Sequence, residues 1–202
     1  MRRSLVLLWC LLLFLASAAW ARLPSQAAYD ALKTDITVTN QAEFAQDVAN
    51  RDYQHIADAY NKLASPDYYV WKTALKRSDI YQMTVVDVPP TQTTWNWATY
   101  QSQSVQQRDS WHEMLVDGVI NPSLPQVRAN YNTIFGGQGA SAQQQQFLLA
   151  ISRRKALRAE TIQVSGTGSD LGQVTNPGTL TWEGPITAND VGHALDPNVI
   201  IQ

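Results

Sequence analysis

The sequence SAQQQQFLLAISRRKALRAETIQV, residues 141–164, contains the longest candidate helix of the chain. Ser141 is a residue type that caps helix N-termini, because its hydroxyl accepts a hydrogen bond from a free backbone N–H of the first turn. The run continues without a turn signal to Val164, where a Gly-rich stretch begins. We therefore predict one helix over residues 142–164.

Apolar spacing and capping residues predict further helices on both sides of this one. Tyr53, Ile56, Tyr60 and Leu63 recur at steps of three and four residues, which is the period of an amphipathic helix. The predicted helices cover residues 27–36, a segment from about residue 41 to the Ser65-Pro66 stop, residues 102–116, residues 124–135 and a short segment after Thr187 through residue 195. The fold class predicted from these segments is mainly α.

The composition changes after Val164, where Ser165-Gly166-Thr167-Gly168-Ser169 is typical of a flexible connector. Asn176-Pro177-Gly178 predicts a turn, and the alternation over residues 179–183 predicts a strand. We therefore divide the chain into a helical domain over residues 22–164 and a second part over residues 165–202. This second part is expected to hold the connector and a small C-terminal appendage with a strand or hairpin and a helix.

Residues 1–21 resemble a secretory leader. Arg2 and Arg3 precede an apolar run, and Ala19-Trp20-Ala21 matches an A-x-A cleavage site. The run is too short to favour a permanent membrane span, which needs about 20 apolar residues. We expect residues 1–21 either to be cleaved on export or to reflect a start codon assigned too far upstream.

Without residues 1–21 the chain keeps 13 basic and 17 acidic residues, a formal net charge of −4, and no cysteine. Disulfides and cysteine-ligated metal sites are therefore excluded for that chain. His112-Glu113 begins like the zinc motif H-E-x-x-H, but position 116 is Val. No phosphate-binding loop or nucleophile elbow occurs, so we predict no catalytic residue, metal ligand, cofactor or small-molecule substrate. An enzyme with an acid–base pair scattered along the sequence stays open as an alternative.

Charge is unevenly placed, because residues 118–159 contain no acidic residue. The basic residues of this block are Arg128, Arg153, Arg154, Lys155 and Arg158. Three interpretations are open, in decreasing order of preference: a solvated or salt-bridged helix end, packing against an acidic neighbouring subunit, and contact with nucleic-acid phosphate.

Aromatic residues cluster at Tyr68, Tyr69 and Trp71, with Val70 between them. Core or interface packing is favoured over a stacking platform for a ligand. The apolar tail Val199-Ile200-Ile201 is a further candidate for docking on a neighbour. The candidate interface residues are Tyr68, Tyr69, Trp71, Arg153, Arg154, Lys155, Arg158 and Ile200.

An ordered series of short pieces resembles a family of small, mostly helical proteins from the virion structural gene modules of tailed bacteriophages and prophages. The resemblance covers about residues 23–194. The pieces are Ala31-Leu32-Lys33-Thr34-Asp35-Ile36, Ala64-Ser65-Pro66-Asp67-Tyr68-Tyr69-Val70-Trp71-Lys72, Asn121-Pro122-Ser123-Leu124 with Arg128, Ile134-Phe135-Gly136-Gly137, Leu148-Leu149-Ala150 with Arg153-Arg154-Lys155 and Arg158, Gly166-Thr167-Gly168-Ser169, and Glu183-Gly184-Pro185-Ile186.

The resemblance implies a non-enzymatic structural subunit of a phage particle, at the neck or tail. Its expected partners are other virion proteins and further copies of itself. The expected location is the virion. A secreted or periplasmic helical binding module, exported by residues 1–21, is the main alternative.

Overall fold

Helices dominate the structure, as predicted. The computed structural model describes residues 23–85, 92–162, 172–180 and 182–196. In these residues the α-helices are α1 (Gln26–Thr34), α2 (Gln41–Asn50), α3 (Tyr53–Tyr60), α4 (Arg77–Gln82), α5 (Trp97–Gln101), α6 (Val105–Met114), α7 (Pro125–Phe135), α8 (Ala140–Ile151), α9 (Arg158–Ile162) and α10 (Ala188–Leu195), with a π-helix over Asp35–Thr39. The strands are β1 (Tyr69–Trp71), β2 (Leu75–Lys76), β3 (Val119–Ile120) and β4 (Arg153–Lys155).

The chain forms two compact units, residues 1–57 with 184–202 and residues 58–183. The predicted division at residues 164 and 165 therefore differs from the structural one. The physical reason is that α10 packs against α1, and the Tyr29 hydroxyl donates a hydrogen bond to Asp190 Oδ1 at 3.1 Å. The part of the predicted C-terminal appendage from residue 184 onward thus belongs to the same unit as the N-terminal helices.

Helix boundaries in the first unit follow local sequence signals. The Ser25 hydroxyl accepts a hydrogen bond from the Ala28 N–H, and Thr187 and Asp190 form a reciprocal capping box for α10. The predicted helix from residue 41 onward is interrupted, because Arg51 adopts a left-handed conformation with φ of 57°. The chain therefore turns between α2 and α3. The predicted short helix ending at residue 195 is confirmed.

The second unit is built on large side chains from α6, α7 and α8. Trp111, Tyr131, Phe135 and Phe147 are fully buried there. Ser104 and Gln107 form a capping box at the start of α6, and Pro125 occupies the first turn of α7. These caps and buried faces confirm the predicted helices in the regions of residues 102–116 and 124–135.

The prediction of one helix over residues 142–164 is wrong. Helix α8 ends at Ile151, and Arg153–Lys155 forms a strand that pairs antiparallel with Tyr69–Trp71. The buried Ser152 lies at the break, where its hydroxyl is 3.1 Å from that of Tyr131 and its carbonyl accepts the Lys72 N–H at 2.8 Å. Tertiary pairing of the backbone thus overrides a weak local preference for helix.

The strand predicted at residues 179–183 is also wrong for the described part of that segment. Over residues 172–180 and 182–183 the structure has no β-strand, and the contact with β1 is an isolated bridge between Gly178 and Val70. The turn closed by backbone hydrogen bonds in this segment joins Gln173 and Asn176, so it precedes the turn predicted at residues 176–178. Residues 1–21, the connector at residues 165–169 and Ile200 lie outside the described residues.

No helix within the described ranges is long and apolar enough to cross a membrane.

Candidate functional site

The aromatic cluster and the basic block, which are far apart in sequence, meet in one antiparallel ladder. Tyr69 lies opposite Lys155, Val70 opposite Arg154, and Trp71 opposite Arg153. The ladder continues through the Ala156 N–H, which donates to the Tyr68 carbonyl at 2.8 Å. Seven of the eight predicted interface residues therefore lie in or beside this structure, which we call the β1–β4 ladder. Of these seven, Tyr68 and Arg158 flank it.

The aromatic side chains of the ladder pack within the chain. Trp71 is 9% exposed, and the Arg128 guanidinium lies over its ring, 4.5 Å from the ring centre. The half-buried Tyr68 ring lies against the backbone of Gly172 and Gly178. This arrangement corresponds to the core-packing interpretation of the cluster. It leaves no open stacking face on Trp71 like that of a ligand platform.

Arg154 is the charged centre of the ladder. Its Nη1 and Nη2 donate to the two carboxylate oxygens of Glu160 at 2.8 and 2.7 Å, and Nη2 also donates to Glu183 at 2.6 Å. Glu160 is 1% exposed and accepts a third hydrogen bond from the Leu157 N–H at 2.7 Å. Burial disfavours the charged guanidinium, but the hydrogen bonds to Glu160 and Glu183 outweigh burial and raise the pKa of Arg154. The Thr73 hydroxyl donates to Glu183, so the network joins four segments of the unit.

The other basic residues of the block also have partners in this chain. Lys155 forms an ion pair with Asp67 at 3.0 Å, and the Arg158 guanidinium lies 4.7 Å from the Tyr60 ring centre. Arg153 Nη1 donates to the Val174 carbonyl at 2.7 Å, and burial lowers the pKa of this guanidinium. Of the three interpretations of the block, these contacts support the salt-bridged one, although on a strand instead of a helix end.

A half-open cleft of about 110 Å³ lies beside the ladder. Its basic lining residues are Lys72, Arg153, Arg154 and Lys155, and its other lining residues are Tyr69, Met83, Thr84, Val85, Ala150 and Ile151. The pKa of Lys72 is lowered by burial, against the attraction of Asp79 and with a smaller lowering by Arg154. The cleft therefore combines several cations with an apolar wall.

The candidate interface residues predicted from the sequence do not include a group of aromatic side chains at the surface, most of it in the Thr- and Trp-rich segment of residues 91–100. Asn96 caps α5, and Trp97 on this helix is 51% exposed. Its ring lies 4.9 Å from that of Tyr81 and 5.8 Å from that of Tyr100, measured between ring centres. We call Tyr81, Trp97 and Tyr100 the aromatic patch. The Thr- and Trp-rich composition of residues 91–100 was the sequence signal that could have indicated this patch.

Trp95 anchors the aromatic patch to the core of the second unit. Its ring stacks on that of Trp111 with a centre-to-centre distance of 5.3 Å, and it contacts all three rings of the patch. Burial raises the pKa of the Tyr100 hydroxyl, which lies 2.7 Å from His112 Nε2. The patch is therefore packed on the core of the second unit.

The histidines are separated in the structure. His55 contacts Asp47 at 3.0 Å, His112 contacts Tyr100, and His193 packs edge-on against Tyr29 with ring centres 4.6 Å apart. Among the described residues, no group of three or more His, Cys, Asp or Glu side chains is placed to hold a metal ion.

Comparison of the chain with protein-family models, with curated proteins and with solved structures gives no significant match. The resemblance to virion structural proteins therefore remains a prediction, based on the residues quoted for it.

Proposed function

We propose that this chain is a non-enzymatic structural subunit of a tailed-phage particle, at the neck or tail, and that it acts through protein–protein packing. The ordered series of sequence pieces over residues 23–194 supports the phage origin. The structural observation that carries the proposal is the aromatic patch, where a tryptophan is half exposed on a rigid base. Tryptophan and tyrosine are enriched at the centres of protein interfaces, where a few such residues provide most of the binding free energy.

The β1–β4 ladder supports the same role from the interior of the unit. The charged side chains of Arg154, Glu160 and Glu183 form ion pairs that hold segments of the chain together. These ion pairs favour a structural role of the two carboxylates over acid–base catalysis, because each carboxylate already accepts several hydrogen bonds. It also disfavours DNA as the partner of the basic block, since Arg154 and Lys155 are paired with carboxylates of a net acidic chain.

Mass spectrometry of density-purified particles from the bacterium that carries the gene tests this proposal. We expect peptides of this chain at a constant ratio to those of the capsid and tail proteins. Trp97→Ser should reduce incorporation into particles about thirtyfold, since loss of an interface tryptophan costs about 2 kcal/mol or more.

Val116→Ser is the matched control, because Val116 is 78% exposed and lies outside the aromatic patch. Both variants should keep the far-UV circular dichroism of the parent chain. Absence of the chain from particles, or equal incorporation of Trp97→Ser and Val116→Ser, would show that the proposal is wrong.

A further inference from the structure

Among the residues that the structure describes, the lining of the cleft beside the β1–β4 ladder contains four cationic residues and no carboxylate. Three carboxylates outside the lining already pair with two of these cations: Glu160 and Glu183 with Arg154, and Asp67 with Lys155. Lys72 lies on the wall of this partly enclosed space.

Lys72 is the cation of this cleft that is available to a ligand. In the described part of the chain, no acceptor lies within hydrogen-bonding or ion-pairing distance of its ammonium group. Its backbone is held on both sides, because its N–H donates to the Ser152 carbonyl at 2.8 Å and its carbonyl accepts the Ser123 N–H at 3.0 Å. A lysine with a fixed backbone loses less conformational freedom on binding an anion than a lysine on a mobile loop.

The size and lining of the cleft restrict the class of ligand. A volume of about 110 Å³ is below the range of about 300–1,000 Å³ typical of pockets for whole small molecules. The space therefore suits one functional group that projects from a larger partner. Met83, Val85, Ala150 and Ile151 provide apolar contacts for methylene groups, while Lys72 provides an ammonium group. A glutamate or aspartate side chain has both parts.

We propose that this cleft receives a carboxylate side chain from a neighbouring protein of the particle, with Lys72 as the residue that binds the carboxylate. The partner assignment rests on the proposed structural function, whereas the preference for a carboxylate rests on the cleft alone. Arg154 and Lys155 already bind carboxylates of their own chain, with N–O distances of 2.6 to 3.0 Å. An incoming acidic side chain would extend the same network across an interface.

The first experiment uses the purified full chain, with its five lysines labelled as ¹³C-dimethyl-lysine. The probe is N-acetylglutamate α-amide, and its neutral isostere is N-acetylglutamine α-amide. We expect the Lys72 methyl signal to shift in a saturable way with the glutamate probe and not with the glutamine compound. The bound carboxylate should also raise the pKa of Lys72, which burial lowers in the free chain.

Lys72→Met keeps the aliphatic stem and removes the charge. It should weaken binding of the glutamate probe at least about tenfold, as followed by the backbone amide signals of Thr84 and Ala150. Lys76→Met is the matched control, because the exposed Lys76 lies on β2, outside the cleft lining. It should leave the affinity unchanged.

The second experiment treats purified particles with a carbodiimide, which joins an ammonium group to a carboxylate in contact with it. We expect mass spectrometry to find an amide between Lys72 and an acidic residue of another chain, and to find none in Lys72→Met particles. Absence of this amide in particles that contain the chain would overturn the inter-protein contact.

The two experiments separate this inference from the proposed function. Binding of the glutamate probe, with the chain absent from particles, supports the carboxylate site and contradicts the virion role. No response of Lys72 to the glutamate probe, with normal incorporation into particles, contradicts the carboxylate site and leaves the virion role supported. Equal binding of the glutamine compound, or a response to inorganic phosphate alone, would also overturn the carboxylate assignment.

Discussion

Glu160 is a nearly fully buried carboxylate whose hydrogen bonds go to Arg154 and to the Leu157 N–H. Glu160→Gln keeps the side-chain size but removes the negative charge that compensates the partly buried guanidinium. We expect it to lower the free energy of unfolding by about 2–3 kcal/mol, because hydrogen bonds to charged groups are strong and an unmatched buried charge is costly. Urea denaturation at neutral pH measures this loss.

Glu113→Gln provides the control for Glu160→Gln, since Glu113 is exposed on α6. Its effect should stay within about 0.5 kcal/mol. Equal stabilities of the two variants would mean that the Arg154–Glu160 pair contributes little to the fold.

Tyr131 provides a prediction of pH dependence. Burial raises the pKa of its hydroxyl well above the ordinary value of 10.0, because ionisation would place a charge in the core. Below pH 10 the hydroxyl is neutral in both the folded and the unfolded chain, so it causes no pH dependence there. Above this pH the unfolded chain ionises first, and the stability from the neutral buried hydroxyl is lost as the pH rises.

Tyr131→Phe should therefore show a shallower loss of stability between neutral and alkaline pH than the parent chain. At neutral pH it should lose about 1 kcal/mol, because the contact with the Ser152 hydroxyl is removed. Chemical denaturation at a series of pH values measures both effects. Tyr69→Phe is the comparison variant, because Tyr69 is half-buried. An equally shallow loss of stability at alkaline pH in both variants would argue against this account.

At the scale of elements, two glycines with the same φ angle can be compared. Gly172 and Gly139 both have φ of +64°, where a side chain is strained. A Cβ on Gly172 would overlap the Tyr68 ring that flanks β1, whereas a Cβ on Gly139 meets no atom within 4 Å. Gly172→Ala should therefore be less stable than Gly139→Ala by about 1–3 kcal/mol, the usual range for overpacking.

Thermal and urea unfolding of the two glycine variants measure this difference. The double variant Gly172→Ala/Tyr68→Ala should cost less than the two single changes together, since the overlap is absent from it. Strict additivity, or equal stability of the two glycine variants, would show that the segment at Gly172 does not pack tightly on Tyr68.

Also at the scale of elements, local sequence signals were sufficient to predict helix α7, whereas strand β4 depends on tertiary pairing and was missed. Helix α7 was predicted because Asn121-Pro122-Ser123 and Gly136-Gly137 flank the segment, and its buried face lies within the eleven residues of the helix. The strand β4 was missed because Arg153–Lys155 has no strand-like alternation of its own. Its backbone partners lie in Tyr69–Trp71, which no local pattern identifies.

At the scale of the whole molecule, residues from both ends of the chain share one unit. Val191 and Ala194 of α10 are buried, and Asp190 accepts the Tyr29 hydroxyl hydrogen bond. Removal of residues 184–202 should therefore reduce the hydrogen-exchange protection of α1 and leave that of α8 in the second unit unchanged. Exchange followed by mass spectrometry measures both helices in one experiment.

Removal of residues 197–202 is the control truncation, since it keeps the whole of α10. It should leave the protection of α1 as in the full chain. Unchanged protection of α1 in the longer truncation would mean that α1 does not need α10 for its stability.

The sequence by itself determined the mainly α class, the start of α10 at Thr187 and the absence of cysteine chemistry after residue 21. Caps and helical periodicity are properties of contiguous residues, so they can be interpreted without a partner. The tertiary structure decided the β1–β4 ladder, the association of α10 with α1 and the positions of Glu160 and Glu183 around Arg154. Glu183 meets Arg154 across 29 residues of sequence, and β1 meets β4 across a longer separation. Such contacts depend on which distant surfaces meet after loop closure, and no local pattern encodes that choice.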